Sequence, residues 1–428
     1  MDTVVSTRTL DIDRLKNNCI TIWKNTSETF PKHLKIIADS ERAANQIRMK
    51  AFIGDTVRLI RSFDGKSGKD PVRWGSSLKK LIYDCGVDVA GLDGQGMKLL
   101  LNGGFCDVTS DFITEVRLFD AAFKLDDMLQ SLRNVWIMNC IQMLMGMKVC
   151  ITPSICAYSM LYPYTDNYLD AGTVPDIRKH STNHRLEKRL AGERIKAETP
   201  LENRLFKLVD MIEGQYERKS YPMVYMSLLA IHEAQVRSML QDGAISLTND
   251  EILDISAQKG GSSVLADGCL IAGGLSEDEA EFIFSFGILL QLIDDLQDAA
   301  VDRSSRHNTL FTANKGDQNA ECITNRLINF TVGLMDHDNR FSGTKAVQTK
   351  EVMKKSILLL IMGAAASNSG MYGKEYLQSL EKFSPVSFSC FRDSYRRIGR
   401  EYAKLKVKLS MKALEVPMAK AFASGSIN

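Results

Sequence analysis

The segment SFGILLQLIDDLQDAAVDR, from Ser285 to Arg303, constrains this chain more than any other stretch. Its first half is almost wholly apolar and runs straight into carboxylates. On a helix Asp294 and Asp298 project from one face a turn apart, and Asp302 continues the row. Gln291 precedes Asp294 by three on that face, and Asp295 lies to one side. Phe282, Phe284, Phe286, Ile288, Leu289, Leu290, Leu292 and Ile293 surround the row, which makes the helix too greasy for a surface position. A row of carboxylates on a buried helix repels itself and is costly to desolvate. Something cationic must offset it. A second segment, CAYSMLYPYTDNYLDAG, also ends an apolar run with carboxylates four apart, Asp166 and Asp170. Two such ends facing each other across a bundle would hold hard cations between carboxylate oxygens. Mg²⁺ suits this, since it takes one or two carboxylates and completes its shell with water and phosphate oxygens.

Nearly every long segment has helical period and convincing strand alternation is absent, so the fold expected is all-α, one large helical bundle with a central active-site cavity. Capping boxes at Thr199–Glu202, Thr248–Glu251 and Ser276–Glu279 start three helices, the first with Pro200 at its first position. Gly273-Gly274 ends the helix before the last of them. With no fixed-period repeat and no clear linker, the boundaries read as a loose tail over 1–19, one domain over 20–412, and a C-terminal tail over 413–428. The polar stretches from Gly172 to Lys196 and from Ala299 to Asn314 are expected to be irregular and to close over a bound ligand.

Composition excludes several classes. A net charge of +2 over 428 residues argues against nucleic acid or an anionic membrane as partner. Nine scattered cysteines, with no CxxC pair and no zinc spacing, point to reduced thiols and a cytoplasmic setting. The greasiest stretches are interrupted or too short to span a bilayer, and the start shows no signal-peptide pattern. Arg178 to Lys196 carries seven basic residues beside the first aspartate pair, and Arg392 to Lys408 carries another seven. Metal together with guanidinium and ammonium groups is how proteins hold a diphosphate. Asp126 and Asp127 lack a carboxylate four residues on and are flanked by Lys124 and Arg133, the pattern of a solvated helix face.

These pieces together resemble the trans-prenyltransferase and class I terpene synthase superfamily. DNYLD (166–170) stands where that family carries its first aspartate-rich motif. HEAQVRSM is similar to its Gly-Gln helix, with Ala234 for the glycine and Gln235 kept. DISAQKGG is similar to its Lys-Thr-Gly helix, with Lys259 kept and Gly260 for the threonine. The second motif, Asp294, Asp298, Asp302 and Arg303, most resembles that of the large (class IB) terpene synthases, similar to tetraprenyl-β-curcumene synthase. The resemblance spans about residues 150 to 312. Chain-elongating members carry an Asp where this chain has Asn167, and a Gly-Gly-Lys-x-x-Arg-Pro stretch that is missing here. Squalene and phytoene synthases also use paired DxxxD motifs, so that branch stays open.

The resemblance implies a terpene synthase that ionises a linear prenyl diphosphate, releases pyrophosphate and forms a terpene. It implies three Mg²⁺ ions held by Asp166, Asn167 and Asp170 on one side and Asp294, Asp295, Asp298 and Asp302 on the other. Arg178, Lys179, Lys259 and Arg303 are the candidates for diphosphate contacts, Arg303 foremost because it matches the motif. Tyr162, Gln235 and Gln291 would line the substrate pocket, Tyr162 one turn before Asp166. The alternatives are a chain-joining enzyme of the same fold and a non-catalytic partner subunit; a homodimer is a further expectation.

Overall fold

The computed structural model of the protein describes residues 10–61, 71–243, 247–313 and 317–408. The chain forms helices α1 (Ile12–Asn25), α2 (Asp39–Arg61), α3 (Pro71–Asp88), α4 (Gly94–Asn102), α5 (Phe105–Phe119), α6 (Leu125–Leu144), α7 (Pro153–Asp170) and α8 (Asp176–Leu190). It continues with α9 (Pro200–Gln215), α10 (Pro222–Ser238), α11 (Asn249–Ala272), α12 (Glu277–Ser305), α13 (Asp317–Val332), α14 (Thr344–Ser367), α15 (Lys374–Glu381) and α16 (Phe388–Lys408). Among the described residues there is no strand, and a lone bridge joins Asp242 to His307. The fold is all-α. No helix of the described residues is long and apolar enough to cross a membrane, and the nine cysteines are free thiols.

Local chemistry sets the helix ends. The Thr248/Glu251 and Ser276/Glu279 boxes are complete, each side chain accepting from the other's backbone N–H. The third box forms by half. Thr199 accepts from the Glu202 N–H, but Glu202 turns to the Glu198 N–H (2.7 Å) and to Arg185 (3.0 Å) instead. Gly273 closes α11 at φ 76°, a left-handed position that favours glycine.

The core lies where α6, α7, α9, α10, α11, α12 and α14 converge. The closest approach is between α11 and α12, and glycines make it. A Cβ on Gly260 would meet the Gly287 carbonyl oxygen at 2.4 Å, one on Gly287 would meet the Gly260 oxygen at 2.2 Å, and one on Gly261 would meet the Phe284 ring at 2.1 Å. This seam accounts for glycine at position 260. It also brings Gly260 against the face bearing Gln291, since a Cβ there would meet the Gln291 Cβ at 2.5 Å.

Two expectations are corrected. Residues up to 19 are not all a loose tail, because α1 begins at Ile12, capped by Asp11. Leu15, Cys19 and Trp23 are buried at a four-residue spacing, and Lys16 binds Asp254 of α11 at 3.0 Å. The polar stretch after α7 is mostly α8, and the stretch from Ala299 begins as the last turns of α12. Residues 1–9 and the expected tail over 413–428 lie outside the described residues.

Candidate active site

The long α12 presents Gln291, Asp294, Asp298, Asp302 and Ser305 along one stripe, at intervals of three and four. That stripe is one wall of an open cleft of about 490 Å³. Tyr162, Asp166 and Leu169 of α7 form the facing wall. Lys179 of α8, Gln235 and Ser238 of α10, Lys259 of α11, and Asp242 and His307 beyond the ends of α10 and α12 complete it. Six aspartates and two lysines therefore line one space. Of the first acidic end, Asp166 lines this space opposite the α12 row. The Asp170 side chain lies outside the described residues.

The carboxylates show the strain of their crowding. Asp294 is half-exposed in the cleft wall (49% of its side chain), and partial burial, helped by Asp298 and by Asp166 across the cleft, raises its pKa against the opposing Arg133 and Lys259. Burial pushes Asp295 up to about 7, although Gln291 donates to it at 2.8 Å and Ser256 at 3.3 Å. Burial, with Asp298 and Asp294 adding, pushes Asp302 up to about 6 against His307. Asp295 is thus the buried partner of the row, while Asp298 stands open to the cleft. Among the described residues no three His, Cys, Asp or Glu side chains gather closely enough to hold a metal by themselves. The donor set is nonetheless all oxygen and strongly anionic, which fits a hard cation that takes part of its shell from a ligand.

The expected cations divide. Lys259 lines the cleft, and Lys179 does so too while donating to the Leu169 carbonyl at the end of α7. Arg303 does not line it. It is exposed and its guanidinium donates to the Phe311 carbonyl at 3.5 Å. The motif match therefore does not carry the Arg303 side chain into the lining. Arg178 is exposed and likewise outside the lining. Two members of the basic run around it tie α8 to its neighbours: Arg185 pairs with Glu198 (2.9 Å) and Glu202, and Arg189 with Glu213 (2.5 Å) and Asp210.

Helix α6 supplies what sequence reading missed. Gln130 donates to Asp166 at 3.1 Å, and Arg133 comes within 4.0 Å of Asp294. Asn167 is exposed and donates to Asp127 at 2.9 Å, so Asp127 is not merely a solvated-face residue, whereas Asp126 is exposed and bonded by Tyr402 at 3.1 Å. Asp127, Gln130 and Asn134 form a stripe at helical spacing, and Asn134 donates to Ser159 (3.2 Å) and to Asp267 (3.1 Å). Asp267 is fully buried with one carboxylate oxygen unpartnered, and burial raises its pKa well above the usual range. The period of that stripe was the available signal.

Below the cleft lies a second, narrow cavity of about 30 Å³ between α7, α8 and α10, lined by Tyr158, Leu161, Tyr162, Thr165, Leu186, Leu190, Leu228, Ile231, His232 and Gln235. Tyr162 and Gln235 border both spaces, so the acidic cleft adjoins a mainly apolar slot. Pro163 sits inside α7 at this level and offers no N–H to the Ser159 carbonyl. Compared with known proteins, the chain matches no family model, and neither a curated protein nor a solved structure is significantly similar to it.

Proposed function

We propose that the protein is a Mg²⁺-dependent class I terpene synthase, which ionises a linear prenyl diphosphate, releases pyrophosphate and forms a terpene. One observation carries this reading. A cleft lined by six aspartates and two lysines adjoins an apolar slot, with Tyr162 and Gln235 on the border. A ligand matching both compartments has an anionic head that brings cations with it and a hydrocarbon tail. Prenyl diphosphates have that chemistry, and the resemblance of the motifs to terpene synthases points the same way.

Asp166 from α7 and Asp294, Asp298 and Asp302 from α12 would hold the magnesium ions. When bound, Mg²⁺ offsets the charge that develops on the diphosphate as its C–O bond breaks. Lys259 and Lys179 add ammonium charge toward the diphosphate oxygens from the floor and the α8 side. Gln130 and Arg133 orient Asp166 and Asp294. The slot walls, with the Tyr162 ring at the entrance, keep water from the allylic cation and stabilise it by ring face and dispersion. Burial, with Asp166 adding, pushes the Tyr162 hydroxyl up to about 12, so it stays neutral there.

The test offers the protein C10 to C35 prenyl diphosphates singly with Mg²⁺, then each with isopentenyl diphosphate. Hydrocarbon or alcohol from one substrate alone supports the terpene synthase. Longer diphosphates formed only with isopentenyl diphosphate, or a head-to-head dimer, transfer the protein to the chain-joining branch. No turnover of any substrate supports a non-catalytic partner.

A further inference from the structure

His232 stands in the wall of the apolar slot, three residues before Gln235 and therefore about one turn deeper than the border with the cleft. It is 7% exposed. One ring nitrogen, Nε2, lies 3.0 Å from the Asn183 backbone carbonyl of α8. A carbonyl oxygen only accepts, so Nε2 must carry the proton and Nδ1 must present its lone pair. Burial lowers the pKa of the ring, opposed by the Asn183 bond and by Glu187, so the imidazole is neutral at physiological pH. No other residue lining the slot carries a basic nitrogen. Its tyrosines, Tyr158 and Tyr162, are held as neutral phenols by burial, and the Thr165 hydroxyl donates to the Leu161 carbonyl.

We propose that His232 accepts, through Nδ1, the proton whose loss ends the reaction; this rests on the terpene synthase reading. A prenyl chain with its diphosphate in the cleft runs its tail past Gln235 and then past His232. A C–H bond beside the cationic carbon breaks, its electron pair becomes the new C=C bond, and the proton passes to Nδ1. The resulting imidazolium is favoured by the nearby Glu187 and returns the proton to water or pyrophosphate when product leaves. The helical hold on Nε2 fixes the tautomer, and the position one turn below the cleft sets which carbon is deprotonated.

The test compares the unsubstituted protein with His232→Gln, whose amide still donates to the Asn183 carbonyl but takes up no proton. Pyrophosphate release and product composition are measured together, with one prenyl diphosphate and Mg²⁺. The expected result is pyrophosphate release within about threefold, while the main olefin falls by roughly tenfold or more relative to it. Alcohols, or olefins with the double bond elsewhere, replace it. If His232→Gln is not folded by circular dichroism, His232→Phe, similar in volume and equally without a base, is measured instead. An unchanged product ratio in the folded variant, or a parallel loss of pyrophosphate and olefin, overturns the proposal. Absence of pyrophosphate from the unsubstituted protein overturns the terpene synthase reading itself, and the role of His232 with it.

Discussion

The acidic cleft and the apolar slot share Tyr162 and Gln235 yet follow opposite physical rules. In the cleft, carboxylates are massed against two lysines, and Asp294, Asp295 and Asp302 all hold protons more tightly than usual because burial, with neighbouring carboxylates adding, outweighs the nearby cations. In the slot, Leu161, Leu186, Leu190, Leu228 and Ile231 leave only a few oriented polar groups. On the proposed reading a cation would complete the first space. The other is complete as a packed wall. A site built from the two halves grips a charged head electrostatically and shapes a tail by volume, so substitutions in the halves should separate head chemistry from tail selection.

The largest effects belong to the cleft. Asp298→Asn, which keeps the shape and removes a charge, should lower pyrophosphate release by about 10²–10³-fold with the melting temperature unchanged or raised, because like-charge repulsion falls. Steady-state kinetics with a thermal melt check both. A comparable loss from a slot residue that spares the fold would break the division. Gln130→Leu and Arg133→Ala remove groups that orient the carboxylates without replacing them, and each should cost about tenfold in kcat/KM, read from the same assay.

A change in the slot should act differently. Leu228→Ala opens the wall from α10 and should shift chain-length preference toward longer substrates by roughly tenfold, at about 2–5 kcal/mol of stability. Substrate competition measures the preference, and denaturant unfolding the stability. Shortened preference, or an equal loss for every substrate, would mean that the slot does not hold the tail.

The effect confined to stability lies outside the lining of both spaces, at Asp267. Its folded pKa is raised, so the neutral acid is favoured in the fold and the stabilisation is fully present below the unfolded value near 4. As pH rises above that, stability falls by about 1.4 kcal/mol per unit until the folded pKa is reached. Asp267→Asn should flatten that slope and raise the melting temperature at pH 7.5 but not near pH 4, leaving Mg²⁺ dependence untouched. Melting curves across pH give the answer; a slope that survives the substitution assigns it to the cleft aspartates instead.

Legibility in the sequence followed locality. The α12 stripe could be read because its spacing and its greasy surroundings are properties of one helix, and the two complete capping boxes for the same reason. Leu15, Cys19 and Trp23 were equally readable at four-residue spacing, and expecting a tail there overlooked a periodic signal. Arg303 was misplaced because a motif match fixes a position in the sequence and not the direction of the side chain, which here turns to the Phe311 carbonyl. Gln130, Arg133 and Asp242 join the cleft only through packing between helices, which no spacing rule within one segment contains. The Gly260–Gly287 seam was hidden likewise, since glycine's use there is the partner's backbone.

The most direct measurement is calorimetric binding of inorganic pyrophosphate with and without Mg²⁺. If the cleft is a cation-assisted diphosphate clamp, pyrophosphate should bind with Mg²⁺ present, fail to bind without it, and be lost in Asp298→Ala while Leu228→Ala leaves it unchanged. Equal binding without Mg²⁺, or no binding with it, would contradict the account at its centre.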